Sequence, residues 1–399
     1  MSRQPIILED PSLNLARAKT FNKNLRRIMG IVTMIGFIIV SIYFLGVRQK
    51  EERGIESRLE TVTELRRAAI KRFMDSQDQE TRLWARHVSI RETAQSFFDV
   101  WTDLSPQERV TIRRAYFEGA EHQEKIFANG SLALRAYQNL HSEKHQILTA
   151  FMRHHEYYDV FLFNMDGDLV YSVEKEADFA FNFSALGGKY KETGLGRAFR
   201  RALKTKDKKS IFVDFSPYAP SNGDGAAFLA RPILDTNGRV IGVYAIQVPS
   251  DNFNAKLQYA SGLGETGETY IVGEDMLMRN NSRLLDNPTA LTQTVDTLAV
   301  KLALKGQNVL ATGKNLQGHK SYIAGAPMDF NGTRWAVVTE MESSELWAPF
   351  NPYFVFYALA LLFVFLFGIL QYWLLRIRTG EPTIGRLASH VAEKKNAPK

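Results

Sequence analysis

An α+β chain with antiparallel sheets, set between two membrane-spanning helices, is the architecture this 399-residue sequence predicts. Three observations carry it. Two uncharged apolar runs, Ile28–Val47 and Phe350–Leu375, stand near the two ends. Between them, Arg48–Trp101 is charged, has no proline and repeats apolar residues every three or four positions, the spacing of one helix face. From Tyr157 to Met341, short runs rich in Val, Ile, Phe and Tyr alternate with Asp-Gly and Asn-Gly turn signals, the pattern of antiparallel strands.

Taken in order, Ile28–Val47 is 20 residues long, enough to cross ~30 Å of hydrocarbon as a helix. No small-residue cleavage pattern follows at Val47-Arg-Gln-Lys50, so the run reads as an uncleaved anchor. Arg26 and Arg27 precede it, and Arg376 and Arg378 follow the second run. The positive-inside rule then puts residues 1–27 and 376–399 in the cytoplasm and 48–349 outside. Trp347, Tyr353, Tyr357, Tyr372 and Trp373 flank the second span, 349–375, as interfacial anchors.

In Arg48–Trp101 the stripe Ile55, Leu59, Val62, Leu65, Ala69 and Phe73 predicts one packing face. A single helix of that length reaches ~75 Å; the alternative is two helices broken near Asp75–Asp78. Ser105-Pro-Gln-Glu108 is a capping box with proline at the first helical position. Asn129-Gly-Ser131 marks the next break, and Leu132–His154 is helical again. Residues 48–156 therefore make a long helix and an α-helical cap.

Tyr157–Phe163, Leu169–Val173, Ser210–Phe215, Ala226–Leu234 and Arg239–Val248 predict a five-stranded antiparallel meander in a first module, 157–250. Pro249-Ser-Asp251 caps a short helix to Tyr259. A second module, 251–346, has strands Glu268–Gly273, Asn308–Thr312, His319–Met328 and Thr333–Met341, with Leu291–Leu304 as its helix. Asn331-Gly332 turns the last hairpin. Ser343 and Ser344 cap the helix that becomes the second span, which Pro349 and Pro352 could kink.

The net charge of +7 is confined to the tails. Residues 1–27 and 376–399 each hold six Lys/Arg against two acids, and the 348 residues between them sum to −1. No nucleic-acid-binding face follows from this. With no cysteine, disulfides, thiolate zinc sites and cysteine nucleophiles are excluded. Gly262-Leu-Gly-Glu-Thr-Gly267 matches G-x-G-x-x-G, but it follows a helix and opens a strand, the reverse of a dinucleotide fingerprint. His141 and His145 stand four apart without a third ligand placed by spacing, and read as a solvated helix face. His154-His155-Glu156 reads as surface, and Asp166 and Asp168 as turn residues. The Asn129 and Asn331 sequons matter only in a eukaryotic secretory setting. There is no G-x-S-x-G, no P-loop and no spaced carboxylate pair, so neither an enzyme, a metal nor a cofactor is expected.

Four words, YDVFLFNMDGDLVYSVEKEADF, DFSPYAPS, AAFLARPILDTNGRVIGVYAIQV and GLGETGETYIVGEDMLMR, together resemble the double Cache (dCache, PAS-like) sensor domain of bacterial chemoreceptors and membrane-bound cyclases. They cover Tyr157–Arg279, and the strand pattern extends to Met341. The resemblance implies two stacked Cache modules, the first membrane-distal and the second membrane-proximal, in a bacterial inner membrane with the domain in the periplasm. The last 24 residues, from Arg376, resemble the start of a HAMP linker with Pro382 and a helix from Ile384. No kinase, cyclase or methylated bundle follows, so either this is the input half of a longer protein or it signals through a cytoplasmic or membrane partner.

A Cache sheet curves around a small-molecule site. Strand alternation puts Phe212, Asp214 and Ser216 on one face and Ile211, Val213 and Phe215 on the other. Asp214 interrupts an apolar strand and needs a partner. Arg231 on the neighbouring strand is the candidate, either as an internal pair or as a ligand contact. Tyr218 and Ser221 lie in the Tyr218–Gly225 loop, suited to a lid, and Tyr171 and Lys175 lie on and after the facing hairpin strand. The family's amino-acid pattern needs a Trp-Tyr pair, which the chain lacks. Arg231, Lys175 and the polar loop motivate a short carboxylate as ligand instead. The expected function is a sensor, a homodimer along Arg48–Phe73, passing a shift of about 1–2 Å in its second span towards Pro382. The rival is a periplasmic scaffold that keeps the fold without sensing.

Overall fold

A computed structural model describes residues 11–117, 127, 129–205, 209–248, 254–255, 257 and 262–379. The expected Pro249–Asp251 cap, most of the short helix after it, Pro382 and the HAMP-like helix lie outside the described residues. The chain divides into two units, one drawn from Met1–Ile55 and Trp347–Lys399, the other Glu56–Leu346.

In the first unit the apolar parts of helix α1 (Pro11–Trp84) and of the last helix (Asn351–Thr379) pack together. Phe44 stacks on Tyr357 with centroids 3.9 Å apart, and a Cβ on Gly36 would lie 3.4 Å from Val364. The outward side chains are apolar, with Ile39 61% and Phe363 69% exposed. Both helices are long and apolar enough to cross a membrane. Pro352 is the second residue of its helix, where a missing N–H costs nothing.

The second unit holds two antiparallel sheets and their helices. Helix α1 runs to Trp84, and α2 (Val88–Asp103) follows after a break at Ala85–His87. The expected continuous helix to Trp101 is therefore interrupted, ten residues beyond Asp75. Around Asp75–Asp78 the pairs Lys71–Asp75 and Arg82–Asp78 support the helix at i,i+4. The restart is set by His87, whose ring Nδ1 accepts from the Ser89 N–H. The buried face of α1 also drifts from the expected stripe: Leu59, Thr63, Ile70, Met74, Gln77 and Thr81 are buried, whereas Leu65 is 63% exposed. Helix α3 (Pro106–Phe117) opens on the expected capping box, with the Ser105 N–H and hydroxyl both donating to Glu108. Helix α4 (Leu132–His154) starts at the Ser131 cap.

The sheet of the first module, named distal only after the expectation above, has β1 (Asp159–Asn164), β2 (Leu169–Ser172), β3 (Ile211–Pro217), β4 (Gly225–Leu234) and β5 (Val240–Val248), with helix α5 (Gly194–Lys204) between β2 and β3. All pairs are antiparallel, but the order β2-β1-β5-β4-β3 is not the expected simple meander. The chain leaves the β2 edge, crosses one face through α5, and returns at the opposite edge. The proximal sheet runs β6 (Glu268–Val272), β9 (Thr333–Glu342), β8 (Lys320–Phe330), β7 (Val309–Lys314). Helix α6 (Leu298–Leu304) covers it and starts seven residues later than expected, at the Thr297 cap. Residues before it make isolated pairings, Leu277 with Thr294 among them. Asn331 and Gly332 both have positive φ, 45° and 86°, as a tight I′-like hairpin turn requires. Helix α7 (Ser343–Trp347) is short, and a 3-10 turn separates it from α8 (Asn351–Thr379).

Candidate functional site

Period-two alternation divides the distal strands between two apolar clusters. Val160, Leu162, Tyr244 and Ile246 face Ile70, Met74, Phe97 and Tyr137 of the helices. Phe161, Phe163, Phe228 and Ala245 face the other way, beneath Leu195, Phe199 and Ala202 of α5. This second face is largely filled by aromatic rings. At the end nearest Asp159 and Gln247, which are partners across β1 and β5, it turns polar.

Asp159 is fully buried. Its Oδ1 accepts from the N–H groups of Val160, Val173 and Glu174 at 2.6, 2.8 and 3.1 Å. Its Oδ2 is buried with no partner. Asp178, 1% exposed, accepts from the Tyr218 hydroxyl through Oδ2, and its Oδ1 is also buried without a partner. Ser221 donates to Glu176 at 2.7 Å, Tyr158 donates to the same carboxylate at 2.8 Å, and the Gln247 amide donates to Ser221 at 3.4 Å.

Burial pushes Asp159 well above the usual carboxylate range, with the Asp178 charge adding to the rise and the three backbone N–H groups opposing it. Burial pushes Asp178 up to about 7, although the Tyr218 hydroxyl favours its ionised form. Among the described residues no Lys or Arg bonds either carboxylate. Lys175 acts on Asp159 only through its charge, without a bond, so two buried acids with unbonded oxygens make a site that gains from a donor or from protons.

Of the expected site residues, Tyr218 and Ser221 meet here. The other four do not. Tyr171 faces the helices and bonds His145 Nδ1 at 2.9 Å. Lys175 is buried with φ 51°, and its Nζ donates to the Val173 carbonyl and approaches His145 at 3.3 Å. Burial lowers it to about 8, against the opposing pull of the Asp159 and Glu174 charges. Arg231 also faces the helices, bonding Ser210 at 2.9 Å. The expected Asp214–Arg231 pair is not formed. Asp214 instead accepts from Arg279 Nε and Nη2 at 3.0 and 2.8 Å and from Trp335 Nε1 at 3.0 Å, all from the proximal module. The reason is a register shift between Val213 and Ser216. This bulge breaks the alternation, so that Phe212 and Phe215 join one cluster and Val213 the other. The expected Tyr218–Gly225 lid is a closed turn, stitched by Tyr218 N–H to Asp224 O and Gly223 N–H to Tyr218 O.

His141 is no solvated residue either. It is 8% exposed, its ring 4.3 Å from Tyr116 and 4.6 Å from His145. Burial lowers His141 to about 2 and His145 to about 4, with Lys175 adding to both. Asp168 is more than a turn residue, since Trp101 Nε1, Arg109 and Asn182 all donate to it. The Gly-rich loop cradles a carboxylate of this chain: Glu265 N–H and Thr266 N–H each donate to Glu345 at 2.8 Å.

Sequence reasoning missed Asp159, Asp178 and Gln247. Asp159 and Gln247 are polar residues inside apolar strands, the same signal that had picked out Asp214.

No curated protein matches the chain. Among solved structures, the sensory domain of the Campylobacter jejuni chemoreceptor Tlp3 is similar at 13% identity and TM-score 0.44, covering 75% of this chain and 97% of that one. The ligand-binding domain of the Pseudomonas fluorescens chemoreceptor CtaA, in complex with L-isoleucine, gives 9% and 0.42 over 75% and 98%. The extracellular domain of the putative histidine kinase vpHK1S-Z8 gives 8% and 0.45 over 75% and 96%. The dCache_1 family model, described as Cache domain, matches residues 47–350. With that match covering most of its length, the chain belongs to the Cache domain family in its double-Cache form.

Proposed function

We propose that this protein is a membrane-anchored extracytoplasmic sensor whose distal module binds a small ligand through a protonated amine. One observation carries the reading: the buried Asp159 Oδ2 and Asp178 Oδ1 lack donors, and no basic side chain among the described residues bonds either acid. An ammonium group supplies the missing donors, and brings to the acids a charge that Lys175 offers Asp159 only from a distance. The short carboxylate expected from Arg231 and Lys175 loses its support, because both side chains face the helices.

In this reading both termini are cytoplasmic, residues 48–349 are periplasmic, and the signal passes through α8 to a cytoplasmic or membrane partner. The exposed Leu65 on α1 supports a homodimer along that helix. The scaffold reading keeps one supporting observation, the aromatic filling of the face beneath α5.

The test is thermal shift on the detergent-solubilised full chain against primary amines, amino acids and polyamines, with short dicarboxylates as contrast. A binder at a hundredfold excess over its Kd adds ~2.7 kcal/mol. The amine reading requires hits among amines that vanish in Asp178→Asn and survive in Arg231→Ala. Binding should also weaken as pH falls through about 7, because a cation must displace the proton on Asp178. Silence across the panel from a well-folded protein favours the scaffold.

A further inference from the structure

Glu268 and Glu340 are partners across β6 and β9, and each is 2% exposed. Alternation puts them on the face whose next pairs, Tyr270–Val338 and Val272–Ala336, cluster with Ala299, Val300 and Ala303 of α6. Residues directly opposite on antiparallel strands have Cβ atoms about 5 Å apart, and like charges there repel. This face belongs to the proximal sheet, so the pair is separate from Asp159 and Asp178.

The groups bonded to the two acids are neutral. Glu268 accepts from the Ser282 hydroxyl at 2.6 Å and from the Arg283 backbone N–H. Glu340 accepts from the Tyr270 hydroxyl at 2.8 Å and from the Leu316 N–H at 3.1 Å. Ile323, opposite Glu340 on β8, and the buried residues of α6 are apolar. The charged side chains nearby are otherwise engaged. The Arg283 guanidinium bonds the carbonyl oxygens of Gly264, Glu265 and Gly267, and reaches Glu268 only through its charge. Glu342 and His319, at the strand end, hold each other at 2.5 Å, and Lys301 of α6 holds Asp296 at 2.6 Å.

Two buried carboxylates set face to face, with no bonded cation, do not both ionise cheaply. The proton falls to Glu340, because the Arg283 charge favours ionised Glu268. Burial pushes Glu340 up to about 7, with the Glu268 charge adding to the rise and the Leu316 and Tyr270 donors opposing it. We infer that the Glu268–Glu340 pair is a proton-binding site through which the proximal module responds to the pH around it. Strand β9 runs into α7 at Ser343, so the charge left when the proton departs lies on the strand that leads to the second span. Between an ordinary 4.5 and about 7 the folded chain keeps a proton that the unfolded chain has lost. The stabilisation is therefore full below 4.5 and disappears as pH rises through about 7.

The experiment uses the full chain in detergent. Infrared spectra of protein carrying carboxyl-labelled glutamate separate a glutamic acid band from that of Asp159 or Asp178. A protonated glutamate should be present at pH 6 and vanish with a midpoint near 7, and Glu340→Gln should remove it. Hydrogen exchange, corrected for its intrinsic pH dependence, reads the opening of Glu268–Val272 and Thr333–Glu342. Opening should rise about tenfold from pH 6 to pH 8, and Glu340→Gln should flatten the rise while Asp178→Asn leaves it. Glu268→Gln, which removes the opposing charge, should move the infrared midpoint down, and this is the deciding variant if Glu340→Gln fails to fold. The inference is overturned by the absence of a glutamic acid band at pH 6, by a band that persists in Glu340→Gln, by an exchange slope unchanged in that variant, or by an unmoved midpoint in Glu268→Gln.

Discussion

Replacing Asp178 by asparagine should flatten the pH dependence of stability. In the folded chain Asp178 titrates near 7, against an ordinary value of 3.8. Between those values the folded state holds a proton that the unfolded state has lost, so stability falls as pH rises. Below 3.8 the contribution is fully present, and above about 7 it is gone. From pH 5 to pH 8 the difference amounts to about 2–3 kcal/mol. For a folding unit of this size, with an unfolding entropy of ~2 cal/mol/K per residue, that is roughly 4–5 °C in Tm. Asparagine preserves the shape and can still accept from Tyr218, but it does not ionise. The wild-type Tm difference between pH 5 and pH 8 should therefore exceed that of Asp178→Asn by this amount, measured by tryptophan fluorescence on the full chain. Asp159 adds to the effect, because loss of the Asp178 charge removes one of the causes that raise it. Equal pH slopes in the two proteins would refute the assignment of a raised pKa to Asp178.

Four further outcomes are expected. Arg279→Met leaves the Asp214 carboxylate without its ion pair and should cost about 3 kcal/mol; a double-mutant cycle with Asp214→Asn by denaturant unfolding should return a coupling above 1 kcal/mol. Trp101→Phe removes the 3.0 Å bond to Asp168 and should lower stability by about 1–2 kcal/mol, read as a Tm loss. Gly242→Ala would drive a Cβ into the Phe163 carbonyl oxygen and put it 2.5 Å from the Phe98 ring, at a cost of about 3 kcal/mol, visible as poor yield and a lowered Tm. Ser131→Ala removes the α4 cap and should cost about 1 kcal/mol in the same assay.

The chain's elements were legible where a single local rule governs them. The Ser105 capping box, the Ser131 break and the Asn331-Gly332 turn each rest on side chains within a few residues of one another. Strand order was not legible, because pairing β1 with β5 depends on contacts some eighty residues apart. The residues of the candidate site were placed in part. Asp214 was singled out correctly as a carboxylate needing a partner, and the wrong arginine was chosen. The bulge after Val213 reverses the local alternation, and no residue type there announces it. His141 looked like surface because helical spacing alone cannot tell that Tyr116 and Tyr171 close over it. Asp178 lies in an acidic stretch, Glu174-Lys-Glu-Ala-Asp178, that reads as solvated, and only the fold buries its last member.

The bulge at Asp214 bears on self-association as well as on partner choice. Strand β3 is an edge of the distal sheet, and a regular edge offers a ladder of free backbone groups to any passing strand. Here the ladder is broken at Val213–Ser216, its Asp214 is bound by the neighbouring module, and Pro217 ends it. The opposite edge, β2, is four residues long. Neither rim can template strand addition. Copies of this chain that meet at high density in a membrane are therefore hindered from zipping together edge to edge through this sheet.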